Sequence, residues 1–155
     1  MNQKTPGTAV ALPTSTPDVA GTTARKNLCL SCGACCAFFR ASFYYAEADD
    51  VTPGGVPVEI TEDLNDFYRV MKGTNQSEPH CIALEGKIGE KVGCSIHPRR
   101  ANVCRDFPPA YEDGVTPNER CDKARAKFGL PPIRPEDWFE TPDDRNRRPP
   151  FKPAA

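Results

Sequence analysis

The chain has no stretch approaching the ~20 consecutive apolar residues of a membrane-spanning helix, so no helical span is expected. It also lacks the pattern of a secretory signal, which runs from a basic start through about 7–15 apolar residues to a small-residue cleavage site. Val10, Ala11 and Leu12 are followed at once by Pro13, Thr14 and Ser15. A cytoplasmic protein with reduced thiols is therefore the expectation. Charge of one sign is missing too: 20 Lys and Arg stand against 21 Asp and Glu. That balance leaves no broad basic field to draw nucleic acid, and no acidic tail. The basic patch Arg145-Asn146-Arg147-Arg148 follows Asp143 and Asp144 and reads as a solvated tail. No internal repeat, Gly-rich phosphate loop or Ser/His/Asp arrangement rises above background.

Aromatic residues and apolar periodicity are absent from residues 1–26, which are rich in Thr, Ala, Pro and Gly. Residues 141–155 are rich in Pro and Arg. Both read as tails, the first disordered. The remainder, 27–140, is about 110 residues, a modest length for burying a core. Seventeen prolines and eleven glycines exclude long regular elements. The expected fold is a small α+β domain, irregular, with short strands and short helices, stabilised by metal.

What the chain does have is eight cysteines, four of them in the run Cys29-Leu-Ser-Cys32-Gly-Ala-Cys35-Cys36. Thiols this close are disulfide partners, metal ligands or redox groups. In a reducing compartment a disulfide framework is disfavoured and metal favoured. Gly33 suits a tight turn that lets sulfurs converge. The first three cysteines have the C-x2-C-x2-C spacing that opens bacterial ferredoxin cluster motifs, without the C-x3-C-P ending. Adjacent side chains diverge, so Cys36 serves a second site or is a spare thiol. Two C-x2-C pairs at zinc-ribbon spacing do not occur, although all-thiolate zinc sites with unequal spacing exist. Cys81, Cys94, Cys104 and Cys121 follow at separations of 13, 10 and 17. Eight thiols allow two tetrads, or one site with thiols left over. Thiolates suit zinc or an iron–sulfur cluster, not magnesium or calcium.

Residues 37–45 are aromatic and β-favouring and predict a strand. Alternation over 56–60 predicts a second, at an edge because of Pro57. Thr61 as cap, acidic Glu62 and Asp63, and an apolar face of Leu64, Phe67, Tyr68 and Met71 predict a helix ending at Gly73. Residues 81–84 and 92–96 predict a hairpin that brings Cys81 near Cys94. His97-Pro98 opens a predicted short helix carrying Arg99, Arg100 and Cys104. Asn118 caps a predicted helix over 119–128, with Cys121 in its first turn, where open amides favour a thiolate. Trp138 is expected to staple the C-terminal segment to the core.

The cysteine run, then Cys81, Cys94-Ser-Ile-His-Pro-Arg-Arg100, Cys104-Arg-Asp-Phe-Pro108 and Cys121-Asp-Lys-Ala-Arg125, resembles the YkgJ-type cysteine-cluster family over about residues 26–132. That family carries the CxxCxxCC domain described as "putative zinc- or iron-chelating". The resemblance implies metal binding by Cys29, Cys32, Cys35, Cys36, Cys81, Cys94, Cys104 and Cys121, and no general catalytic activity. The family pattern usually has Tyr at His97 and Arg-Pro at Arg100-Ala101; these departures leave the cysteines untouched. A related domain occurs in flagellin lysine methylases, but this chain has no methyl-donor motif.

Arg100 and Arg105, flanking Cys104, could neutralise a thiolate cluster or tune its potential, or form ordinary ion pairs. His97 could be a ligand or a donor to a sulfur; His80 reads as a surface residue. Glu47, Asp49 and Asp50 read as a solvated loop rather than catalytic carboxylates. The leading function is a metal-binding protein holding zinc or an iron–sulfur centre. The alternatives are a redox enzyme or sensor using a reactive thiol such as Cys36 or Cys121, and a metal-stabilised interaction module presenting the Arg-bearing helix.

Overall fold

The structure, a computed structural model, describes residues 25–141. The expected tails lie outside these residues, apart from Arg25, Lys26 and Thr141. The helices are α1 (Cys29–Cys32), α2 (Asn102–Arg105) and α3 (Glu119–Lys127). The strands are β1 (Ser42–Tyr44), β2 (Thr61–Asp63), β3 (Tyr68–Met71), β4 (Leu84–Lys87) and β5 (Lys91–Cys94). They form two small antiparallel sheets, one in the order β1-β3-β2 and one hairpin, β4-β5. The fold class is thus small, irregular α+β.

Several local expectations are corrected. Residues 61–71 form the hairpin β2-β3, not a helix. The Asn65 side-chain oxygen accepts from the amides of Phe67 at 2.9 Å and Tyr68 at 3.0 Å, an Asx turn that reverses the chain. Phe67 and Tyr68 are exposed while Met71 is buried, so the four residues do not form one buried face. Residues 58–60 are a 3-10 turn rather than a strand, its Val58 amide held by the Asp49 carboxylate at 2.9 Å. The strand expected over 37–45 survives only as Ser42–Tyr44, because Ala34–Ala37 is a 3-10 turn. The expected helix after His97 is two pieces, a 3-10 turn at His97–Arg99 and α2, separated by extended Arg100.

A hairpin and α3 form where expected, but the first strand is Leu84–Lys87 rather than 81–84 and the return strand is Lys91–Cys94 rather than 92–96. Leu84 pairs with Cys94, and Cys81 lies in the turn leading into β4. The Asn118 side chain accepts from the amides of Arg120 at 3.0 Å and Cys121 at 3.3 Å, and left-handed Gly129 follows the helix. Asn118→Ala is expected to lower stability by about 1 kcal/mol in urea melts, and Asn118→Asp to keep most of that. Equal losses in both variants would contradict the capping role.

Trp138 is buried, its indole N–H donates to the Ala110 carbonyl at 3.0 Å, and the Arg25 guanidinium lies 4.7 Å from its ring centre. This is the expected staple. The apolar interior falls into three clusters, around Phe43 and Ile96, around Ile133 and Trp138, and around Cys32 and Ala124. Cysteines sit in or against all three.

Candidate metal centre

The ligand loop is shaped by two local features. Gly33 adopts φ 69°, turning the chain out of α1, and Ala34–Ala37 then winds as a 3-10 turn. Packing fixes the loop from both sides: α1 lies on β5, and α3 lies on the 3-10 turn. The hairpin tip is tied in as well, the Gly89 amide donating to the Cys32 carbonyl at 3.1 Å. The Cys81 amide donates to the Cys36 carbonyl at 2.8 Å, bringing a distant segment alongside the run. Cys104 rides on α2, whose Asn102 amide is capped by the Glu47 carboxylate at 2.7 Å. Cys121 sits in the first turn of α3.

All eight cysteines are free thiols, and all eight line one cavity of about 180 Å³. No His, Asp or Glu shares the lining among the described residues. The walls are apolar, with Phe39, Met71, Phe107 and Ile133 contributing, and the basic side chains present are Arg40, Arg100 and Arg120. The thiols ring the space rather than meet at a point. Among the described residues, no three or more His, Cys, Asp or Glu side chains are gathered as an ion-holding group.

Burial pushes the Cys36 thiol up to about 12, with the Cys81, Cys104 and Cys94 sulfurs adding to the effect. Burial raises Cys104 and Cys29 to about 11 each, and raises Cys81. Cys29 is exposed as a residue, yet it lines the cavity and loses hydration there. Cys35 and Cys121 face each other electrostatically, and sharing a proton between the two sulfurs shifts them in opposite directions. That sharing drives Cys35 strongly up and brings Cys121 down to about 6, helped by the Ala110 amide and Arg125 against the opposing effect of burial. Beside it, one Asp122 carboxylate oxygen is buried with no hydrogen-bond partner. A cavity walled by thiols is a donor set suited to a soft cation, and the unpartnered Asp122 oxygen lies outside its lining.

The other candidates separate clearly. Arg100 lines the cavity, donates to the His97 carbonyl at 3.1 Å and favours the ionised forms of Cys29 and Cys104. Arg105 is exposed, off the cavity, and bonded to the Asn102 side chain at 3.2 Å. His97 and His80 are exposed and do not line the cavity. Asp50 is taken by a two-pronged pair with Arg69 at 2.7 and 2.8 Å, and Asp49 and Glu47 hold backbone amides. These carboxylates build the loop. Arg120 was not singled out from sequence. It lies over the rings of Phe39 at 4.9 Å and Phe107 at 5.3 Å, and its place beside Cys121 in the chain was the available signal.

An all-sulfur pocket drawn from separated segments is the donor set of a soft-metal-chelating domain, not of a magnesium or calcium site. The chain belongs to the CxxCxxCC family, described as "Putative zinc- or iron-chelating domain", which matches residues 28–122. It is 52% identical over 107 residues to "Uncharacterized protein YkgJ" of Escherichia coli O157:H7, covering 69% of this chain and 96% of that one. It is 46% identical over 105 residues to "Putative ferredoxin" of Acinetobacter calcoaceticus, covering 68% of this chain and 77% of that one. No solved structure matches the chain. Among the described residues, no helix is long and apolar enough to cross a membrane.

Proposed function

We propose that this chain is a cytoplasmic iron–sulfur protein whose cysteines are the ligands of the centre. One observation carries the reading: eight thiols converge on one cavity from which carboxylate and imidazole are absent among the described residues. Two further points support iron over zinc. The opening spacing is that of a ferredoxin ligand loop. A relative covering two thirds of the chain bears the name ferredoxin. An iron–sulfur centre supplies one-electron transfer. The protein's part is to exclude water, hold the sulfurs, and offset thiolate charge with Arg100.

Anaerobic purification followed by a visible spectrum and iron, sulfide and zinc analysis tests this. A brown protein with matched iron and sulfide is the expected result. A colourless protein carrying zinc would replace the reading with a structural zinc domain, and a metal-free folded protein would overturn chelation altogether.

A reactive-thiol enzyme has one observation in its favour, the low-lying Cys121. Cys121 is only 3% exposed, which opposes attack on a substrate. Alkylation of the loaded protein is expected to leave Cys121 unmodified.

Metal uptake is expected to be steeply pH-dependent. Cys29, Cys36 and Cys104 keep their protons at neutral pH when no metal is bound, since their thiols sit at about 11 to 12. A ligand must shed its proton to bind, so uptake releases protons and affinity rises with pH. Because more than one proton leaves, the apparent affinity is expected to climb by more than about tenfold per pH unit from mildly acid to mildly alkaline conditions. Competition with a chromophoric chelator measures it, and a flat profile would contradict thiolate ligation.

A further inference from the structure

Resting on the thiolate-centre reading, we infer that the eight cysteines form two adjoining four-thiolate sites, one from Cys29, Cys32, Cys35 and Cys121, the other from Cys36, Cys81, Cys94 and Cys104.

The division begins at the adjacent pair. Cys35 and Cys36 lie in the 3-10 turn Ala34–Ala37, where three residues make a turn and successive side chains diverge by about 120°. They therefore cannot both face one ligand position. The packing follows the same line. Cys36, Cys81 and Cys94 pack in one apolar cluster with Phe43 and Ile96. Within it, the Cys81 amide bonds the Cys36 carbonyl at 2.8 Å, and the register that pairs Leu84 with Cys94 sets the end of β5 beside the Cys81 turn. The α2 helix that carries Cys104 follows Ala101, which belongs to that cluster, and lies against β1.

On the other side, Cys32 and Cys35 pack with Ala124 of α3. Cys121 stands three residues earlier on that helix, on the same face. It also packs with Leu28, the residue before Cys29. The first site is then a C-x2-C-x2-C loop completed by a remote cysteine, and the second is built almost wholly from the later cysteines.

The test compares wild-type protein with Cys29→Ser, Cys104→Ser and the double variants Cys29→Ser/Cys121→Ser and Cys29→Ser/Cys104→Ser. Each is reconstituted anaerobically with iron and sulfide, or with zinc alone. Bound metal is counted, and protected thiols are mapped by alkylation and mass spectrometry. Both single variants and the double variant within one tetrad are expected to keep half of the wild-type metal. The double variant across the tetrads is expected to keep none. In Cys104→Ser, Cys36, Cys81 and Cys94 are expected to react while Cys29, Cys32, Cys35 and Cys121 stay protected. Cys29→Ser is expected to give the complement. Loss of all metal from both single variants, or newly reactive thiols scattered across the tetrads, would overturn the partition while leaving thiolate chelation standing. A wild-type protein that takes up neither iron and sulfide nor zinc would overturn both.

Discussion

Stripping the metal under reducing conditions is expected to cost this protein most of its cooperative fold. The reason lies in how little else holds it. Of the eighteen buried apolar residues described, seven are alanine and three are cysteine, which leaves few large side chains to drive collapse. The helices run to four, four and nine residues and the strands to three or four. Elements that short do not persist without tertiary support. That support is arranged around the cysteine cavity, which all three apolar clusters border.

A structural thiolate site contributes about 10–16 kcal/mol of apparent free energy at neutral pH. A typical domain's whole stability is about 5–15 kcal/mol. Removing metal also leaves eight thiols lining a wet or collapsed cavity. Circular dichroism melts before and after anaerobic chelation are expected to lose their cooperative transition, and reloading to restore it. A stripped protein that melts at an unchanged temperature would show that the apolar clusters suffice, and that the metal is cargo rather than scaffold.

The candidate site was far more legible in the sequence than the fold that builds it. Soft-donor chemistry depends on residue type, and a thiol is unmistakable in any conformation, so the eight cysteines could be named without knowing a single dihedral. Local punctuation was legible for the same reason: the Asn118 cap before α3 acts within a few residues. The 61–71 segment was not. Leu64, Phe67, Tyr68 and Met71 have helical spacing, but Asn65 offers its side chain to two nearby amides, and β3 pairs on both edges, with β1 and β2. Periodicity reports burial only when the face is in fact buried, and Phe67 is 63% exposed.

Charged residues were less legible for a related reason. Arg105 lies next to Cys104 in sequence, but neighbours on a helix point apart, and it faces solvent. Arg120, also a direct neighbour of a cysteine, reaches the cavity because two aromatic rings hold it there. Sequence adjacency gives distance along the backbone, and the side-chain direction that decides a role comes only from the packing.

Gly73→Ala is expected to destabilise the domain by about 3–4 kcal/mol, far more than a surface glycine replacement. Gly73 has φ 80°, where a Cβ already costs about 1 kcal/mol or more. It also lies against the strand of chain that delivers Cys81. The His80 amide donates to the Gly73 carbonyl at 2.7 Å, and the Ile82 amide to the Lys72 carbonyl at 3.0 Å. A methyl group at 73 would land inside contact distance of the His80 carbonyl oxygen, which is backbone and cannot rotate away. Relief requires residues 80–82 to move, and that movement pulls on the 2.8 Å bond from the Cys81 amide to the Cys36 carbonyl. Gly54 supplies the control. Its φ of 82° is nearly the same, but a methyl group there meets nothing within 4 Å. Gly54→Ala therefore isolates the conformational cost of about 1 kcal/mol. Urea melts of the loaded proteins should separate the two variants by about 2 kcal/mol or more. Alkylation mapping should find Cys81 newly reactive in Gly73→Ala and protected in Gly54→Ala. Equal melts and equal protection would mean that the chain at 73 and at 80 can part freely, and that Cys81 is positioned by something other than this close backbone approach.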